Sequence, residues 1–139
     1  MGEKSKKEII YIQRYETFRH LDRLRWLMFQ IAIATSGAII AVFRNFGKLY
    51  YFPLLSIGSI LLLTGISMRR INLGIVKNGE FLHKIGKEVG DSEIPLPQFN
   101  VKSIAWWISW LMIIVGIVLI ISWACLFVLM EGGNAEAQR

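Results

Sequence analysis

The sequence predicts an all-α integral membrane protein with three transmembrane helices, the first two extended into the cytosol as a long antiparallel helical hairpin. Three observations predict it. Residues 26–43, 49–68 and 104–130 contain no Asp, Glu, Lys or Arg, in a chain of 139 residues that is 54% hydrophobic. At a rise of ~1.5 Å per residue each run can cross a hydrocarbon core of ~30 Å, with some tilt in the third. Helical periodicity also carries on from the first two runs into the charged segments 3–25 and 69–90. The remaining residues come in short pieces, so residues 1–139 read as a single membrane domain with no separate soluble unit.

Residues 3–25 read as a cytosolic helix. Ile9, Ile12, Tyr15, Phe18 and Leu21 recur at three-residue spacing, and no Gly or Pro interrupts between Glu3 and Ser36. The helix is expected to run without a break into span 26–43. Asn45, Gly47 and Pro53 mark an outer turn. A second helix starts near Pro53, a residue favoured in the first helical turn, and forms span 49–68. Its apolar face continues through Ile71, Ile75, Leu82, Ile85 and Val89 as a cytosolic helix over 69–90. Gly90-Asp91-Ser92 ends it, and Ile94-Pro95-Leu96-Pro97 lies in an extended linker over 91–103. Span 104–130 follows, then an outer tail over 131–139.

Charge sets the expected orientation. Thirteen of the sixteen basic residues precede the first span or lie between the second and third. The positive-inside rule places those segments in the cytosol and the C-terminus outside, in a cell inner (plasma) membrane. Trp26, Trp106, Trp107 and Trp110 cluster at the cytosolic ends, while Tyr50, Tyr51, Phe52 and Trp123 sit toward the outer ends, as interfacial belts require. The first apolar run starts only after 25 charged, patterned residues, which does not resemble a cleavable signal peptide. The single cysteine, Cys125, lies inside the third run and reads as a small apolar side chain.

One repeat crosses the membrane boundary in helix two. Gly58, Gly65, Asn72, Gly79 and Gly86 are spaced by seven. Glycine in a helix costs roughly 1 kcal/mol against alanine, so several in register call for close approach of another helix backbone. Helix one offers a stripe of Leu27, Gln30, Ala34, Gly37 and Ala41, and packing of that stripe on Gly58 and Gly65 is the expectation. The competing reading of Gln30, Ala34, Gly37 and Ala41 is the lining of a narrow water path around an oligomer axis. Three helices cannot enclose a pore, so conduction would require a ring of subunits.

The second candidate is the basic cytosolic surface. Arg14, Arg19, Arg23 and Arg25 approach the bilayer from helix one, and Arg69, Arg70, Lys77, Lys84 and Lys87 leave it on helix two. Topology determination and contact with anionic lipid account for such a surface at roughly 1 kcal/mol per basic residue. A pocket for a phosphate-rich ligand, a nucleotide or single-stranded nucleic acid, is the functional reading. No Gly-rich phosphate loop accompanies it. No intramembrane carboxylate supports proton or cation coupling. His20 and His83 lack the partners of a zinc site, and the Arg14-to-His20 spacing fits a loose ribonuclease pattern that is common by chance. No catalytic, metal or cofactor residue is expected, and the chain does not read as an enzyme.

The charged Arg14-Tyr15-Glu16-Thr17-Phe18-Arg19 helix, the run Leu24-Arg25-Trp26-Leu27-Met28-Phe29-Gln30 and the basic exit Met68-Arg69-Arg70 carry a resemblance. In layout the chain resembles the small multi-span membrane effectors of bacterial anti-phage defence systems, of the Hailong membrane effector type. That resemblance implies an oligomeric channel controlled by a nucleotide-derived ligand that a cytosolic partner enzyme makes. A second likeness is to YidH-type inner-membrane proteins, whose Asn-Glu-Arg-Thr-Phe-Leu-Ala-Trp entry motif is replaced here by Asp22-Arg23-Leu24-Arg25-Trp26. The expectation is therefore a homo-oligomeric gated channel or membrane-perturbing effector that senses an anionic ligand. The alternative is a membrane scaffold or adaptor whose cytosolic hairpin recruits a protein partner.

Overall fold

Why the chain forms three helices follows from where its helix breakers fall. The computed structural model describes residues 3–44, 51–89 and 103–136, and these residues are helical almost throughout. Helix α1 spans Glu3–Phe43, α2 spans Tyr51–Val89 and α3 spans Ile104–Glu136. No Pro occurs within α1 or α3. Pro53 falls in the first turn of α2, where its missing N–H has no intrahelical partner to lose. The Ser103 hydroxyl accepts a hydrogen bond from the backbone N–H of Trp106 at 3.3 Å and so caps α3. Each helix is long and apolar enough to cross a membrane. Helix α3 continues to Glu136, into the segment expected as an outer tail. The outer turn at Asn45 and Gly47, the stop at Gly90-Asp91-Ser92 and the Pro95–Pro97 linker lie outside the described residues.

Helix α2 is the middle element, packed against α1 on one side and α3 on the other. A shared cluster unites all three: Ala32 of α1, Ile57, Leu61 and Met68 of α2, and Met112 of α3. Met68 and Ser109 have no exposed surface. The side of α1 that meets α2 runs through Arg14, Leu21, Arg25, Ala32 and Ser36. Arg14 reaches Asn78 of α2, Leu21 lies near Gly74, Arg25 reaches Asn72, and Ala32 and Ser36 are buried.

The glycine repeat of α2 is a packing seam, but its partner differs from the one expected. A Cβ built on Gly58 would lie 2.9 Å from the carbonyl oxygen of Gly116, and one on Gly65 would lie 2.8 Å from that of Ser109. Both glycines therefore face α3, not the Gln30-Ala34-Gly37-Ala41 stripe of α1. Gly116 completes the contact, since a Cβ there would lie 2.7 Å from the Gly58 carbonyl oxygen. Farther along α2, Asn72 faces α1. The physical reason is that α3 supplies Gly116 and Ser109, whose backbone the two glycines approach. The ~20° per repeat by which a heptad seam rotates is too small to carry it to the far side of α2, and Asn72 meets α1 through the long Arg25 side chain.

Candidate functional site

The nine predicted ligand-binding residues divide by what surrounds them. Three are engaged inside the chain. Arg14 donates to the Asn78 side-chain oxygen at 3.1 Å and lies over the Phe81 ring, 5.0 Å from its centroid. Arg25 donates to Asn72 Oδ1 at 2.8 Å and pairs with Asp22, and its side chain is only 12% exposed. Arg69 lies 4.4 Å over the Trp110 ring of α3. Each guanidinium thus ties α2 to a neighbour or supports that contact, through polar and cation–π attraction.

Arg19 and Arg23 stand apart from those three. With Glu16 and His20 they line an open groove of ≈ 430 Å³. The four residues are spaced i, i+3, i+4 and i+7, which is one stripe of a helix. At ~100° per residue the stripe points away from the side of α1 that carries Arg14, Leu21 and Arg25. Among the described residues, none of the four forms a salt bridge. On α2, Arg70, Lys77, Lys84 and Lys87 are exposed. The structure does not bring Arg19 and Arg23 together with Arg69 and Arg70. The first pair faces away from α2, while Arg69 reaches toward α3.

The same direction of α1 holds the predicted pore or packing stripe. Gln30, Ala34, Gly37 and Ala41 are all exposed, and a Cβ on Gly37 would meet nothing within 4 Å. The buried small residues of α1 are Ala32 and Ser36 instead. Reading onward from the groove, Glu16, His20, Arg23, Leu27, Gln30, Ala34, Gly37 and Ala41 alternate four- and three-residue steps. This heptad-spaced face has no partner helix among the described residues. Its groove end is charged and its other end is made of small residues around one amide.

Two serine hydroxyls of α3 are satisfied locally. Ser109 donates to the Trp106 carbonyl and Ser122 to the Val118 carbonyl, both at 2.8 Å. Such back-bonding satisfies a hydroxyl within its own helix. Among the described residues the buried Ser36 hydroxyl has no partner, nor do Asn72 Nδ2 and Arg25 Nε. The features that sequence reasoning missed are Gly116 and the Asp22–Arg25–Asn72 group. Gly116 is the only glycine in the apolar run of α3, which was a usable signal. Asn72, the one polar member of the glycine repeat, was another. No protein family, curated protein or solved structure matches the chain.

Proposed function

We propose that the chain is a multi-pass inner-membrane protein that acts as a homo-oligomeric gated channel, with a basic cytosolic surface that senses an anionic ligand. In this reading α1 and α2 form an antiparallel hairpin whose charged half stands in the cytosol, and the C-terminus lies outside. The unpartnered α1 seam carries the proposal. Gln30 is exposed in a stretch that contains no charged residue, and the next members of its face are Ala34, Gly37 and Ala41. A primary amide facing lipid lacks hydrogen-bond partners, whereas one facing a neighbouring subunit or a water path has them.

The two outer helices differ in a way that orients the subunit. The exposed face of α3 presents Leu111, Ile114, Val118, Ile121, Val128 and Leu129, a surface suited to lipid. The exposed face of α1 presents the amide and the small residues as a stripe flanked by Leu27, Ile31, Ile33, Ile40 and Val42. A ring with α1 inside and α3 outside satisfies both. The anionic ligand, a nucleotide or single-stranded nucleic acid supplied by a cytosolic partner enzyme in an antiviral defence system, would engage the exposed Arg19 and Arg23 of the groove. Ion flux through protein-containing liposomes, with particle imaging of the solubilised assembly, tests this. A ring with an axial hole and measurable flux is expected. A monomer, or a ring without flux, rejects it.

One observation favours the scaffold reading. Ile12 and Leu73, outside the charge-free runs, are 56% and 59% exposed. Apolar side chains on a helix pair that stands in water are docking points for a protein partner. Flux-free rings that retain a cytosolic protein through these positions would replace the channel by the adaptor.

A further inference from the structure

The charged groove and the small-residue stripe lie on one line along α1, and this continuity carries an inference about what permeates. It rests on the channel reading above. Glu16, Arg19, His20 and Arg23 line an open groove of ≈ 430 Å³, and none of the four forms a salt bridge among the described residues. Arg23 is the last charged residue on this face before Gln30. The interval is seven residues, roughly 10 Å of helix. Any ring that turns Gln30, Ala34, Gly37 and Ala41 inward also turns Arg23 inward, because the two are fixed on the same side of one uninterrupted helix.

We infer that the groove is the cytosolic vestibule of the pathway and that its Arg23 ring makes the pathway selective for small anions. Each subunit contributes two guanidinium groups, Arg19 and Arg23, against the one carboxylate of Glu16. A guanidinium presents a planar fork of N–H donors to an anion. Bringing several copies of Arg23 around one axis, at the edge of a low-dielectric span, focuses a positive potential where the path narrows. Anions relieve the mutual repulsion of the ring and cations add to it, the arrangement expected of arginine-lined anion pores. Beyond Arg23 the face presents the neutral amide of Gln30 and then Ala34, Gly37 and Ala41, which impose no opposite charge. The arginines already engaged inside the chain, Arg14, Arg25 and Arg69, take no part. A multivalent anion held by the same ring would occupy the entrance and obstruct it.

The test is the zero-current potential of the full-length protein in phosphatidylcholine bilayers under a potassium chloride gradient. The wild type is expected to show chloride permeability above potassium permeability. Arg23→Glu is expected to reverse the sign, and Arg23→Gln to reduce the ratio without reversing it. Lys6→Glu, the same charge change outside the groove, is expected to leave the sign unchanged. Adding anionic lipid to the bilayer separates a headgroup in the groove from a free anion: occupation by lipid lowers the chloride preference, and a free-anion path keeps it. Current that favours potassium, or a chloride preference indifferent to both Arg23 substitutions, overturns the inference while leaving the channel reading in place. Absence of current from a correctly inserted protein, both without and with short single-stranded DNA or cyclic dinucleotide added, overturns the channel reading, and the inference falls with it.

Discussion

Gly65→Ala should destabilise the protein although alanine is the better helix former. Helix propensity alone favours alanine by roughly 1 kcal/mol in an unobstructed helix interior. At Gly65 the new methyl would lie 2.8 Å from the Ser109 carbonyl oxygen and 3.1 Å from the Ile113 nitrogen. Both are backbone atoms of α3 and cannot rotate away, so α2 and α3 must move apart. Overpacking of this kind costs about 1–3 kcal/mol, which equals or exceeds the propensity gain. Gly74→Ala is the matched control. Its methyl would meet only the Leu21 Cδ1 atom, at 3.6 Å, an ordinary contact that leaves the propensity gain intact. The two variants should therefore differ by roughly 1–3 kcal/mol, the cost of the overpacking term itself. Denaturation by sodium dodecyl sulfate in mixed micelles, followed by tryptophan fluorescence, measures the difference. If Gly65→Ala proves as stable as Gly74→Ala, the close α2–α3 approach is refuted. Gly116→Ala probes the same contact from α3 and should behave like Gly65→Ala.

Three further outcomes follow from the described geometry. Arg25→Leu should destabilise by about 1–3 kcal/mol, because it leaves the buried Asn72 amide without its donor, and the Arg25→Leu/Asn72→Leu pair should recover part of that loss in the same assay. Cysteine labelling in intact cells should find position 135 accessible from outside and position 84 only after permeabilisation, and the reverse pattern at both would sink the cytosolic placement of the basic surface. Short single-stranded DNA and cyclic dinucleotides, titrated at low and physiological salt, should bind the wild type with a steep salt dependence. Arg19→Glu with Arg23→Glu should weaken that binding without loss of fold, and binding indifferent to both substitutions would remove the groove from the ligand site.

The helices were legible because charge is so expensive in an apolar run. Three stretches free of Asp, Glu, Lys and Arg leave little choice about which residues form long apolar helices, and the absence of Pro and Gly from 3–36 joins the first of them to its charged extension. The glycine repeat was legible as a period but not as a direction. A seven-residue spacing says that one face recurs; it does not say which neighbour that face meets. The neighbour depends on how α2 is rotated between α1 and α3, and the seam itself turns by ~20° per heptad. The basic residues were harder still. Arg14, Arg19, Arg23 and Arg25 look equivalent as letters. Only the folded chain separates Arg14 and Arg25, held by Asn78 and Asn72, from Arg19 and Arg23, which face away from α2. Long flexible side chains find partners across helices, and single-sequence spacing carries no record of such pairings.

The two interfaces of α2 also differ in kind, and the difference bears on how the protein can move. Against α3 the contact is backbone on backbone, through Gly58, Gly65 and Gly116, with the Arg69–Trp110 stack beside it. Such an interface has few side chains able to yield, and sliding one helix along the other would drive a carbonyl into a neighbouring residue. Against α1 the recorded polar ties are side chain on side chain. The Lys7–Glu88 pair is 3.1 Å long with both partners nearly half exposed, and a pair of that kind contributes roughly 0–1 kcal/mol. The Arg14–Asn78 bond is likewise exposed. Among the described residues, Arg25, Asp22 and Asn72 form the most buried polar tie of this interface, placed at the start of the charge-free stretch of α1. The α2–α3 contact therefore rests on close backbone approach, and the far end of α1 on exposed polar pairs of the kind that salt screens. The face of α1 that carries Arg19 and Arg23 continues along the same uninterrupted helix to Gln30 and Gly37, so under the channel reading proposed above no separate element is needed to connect the groove with the span.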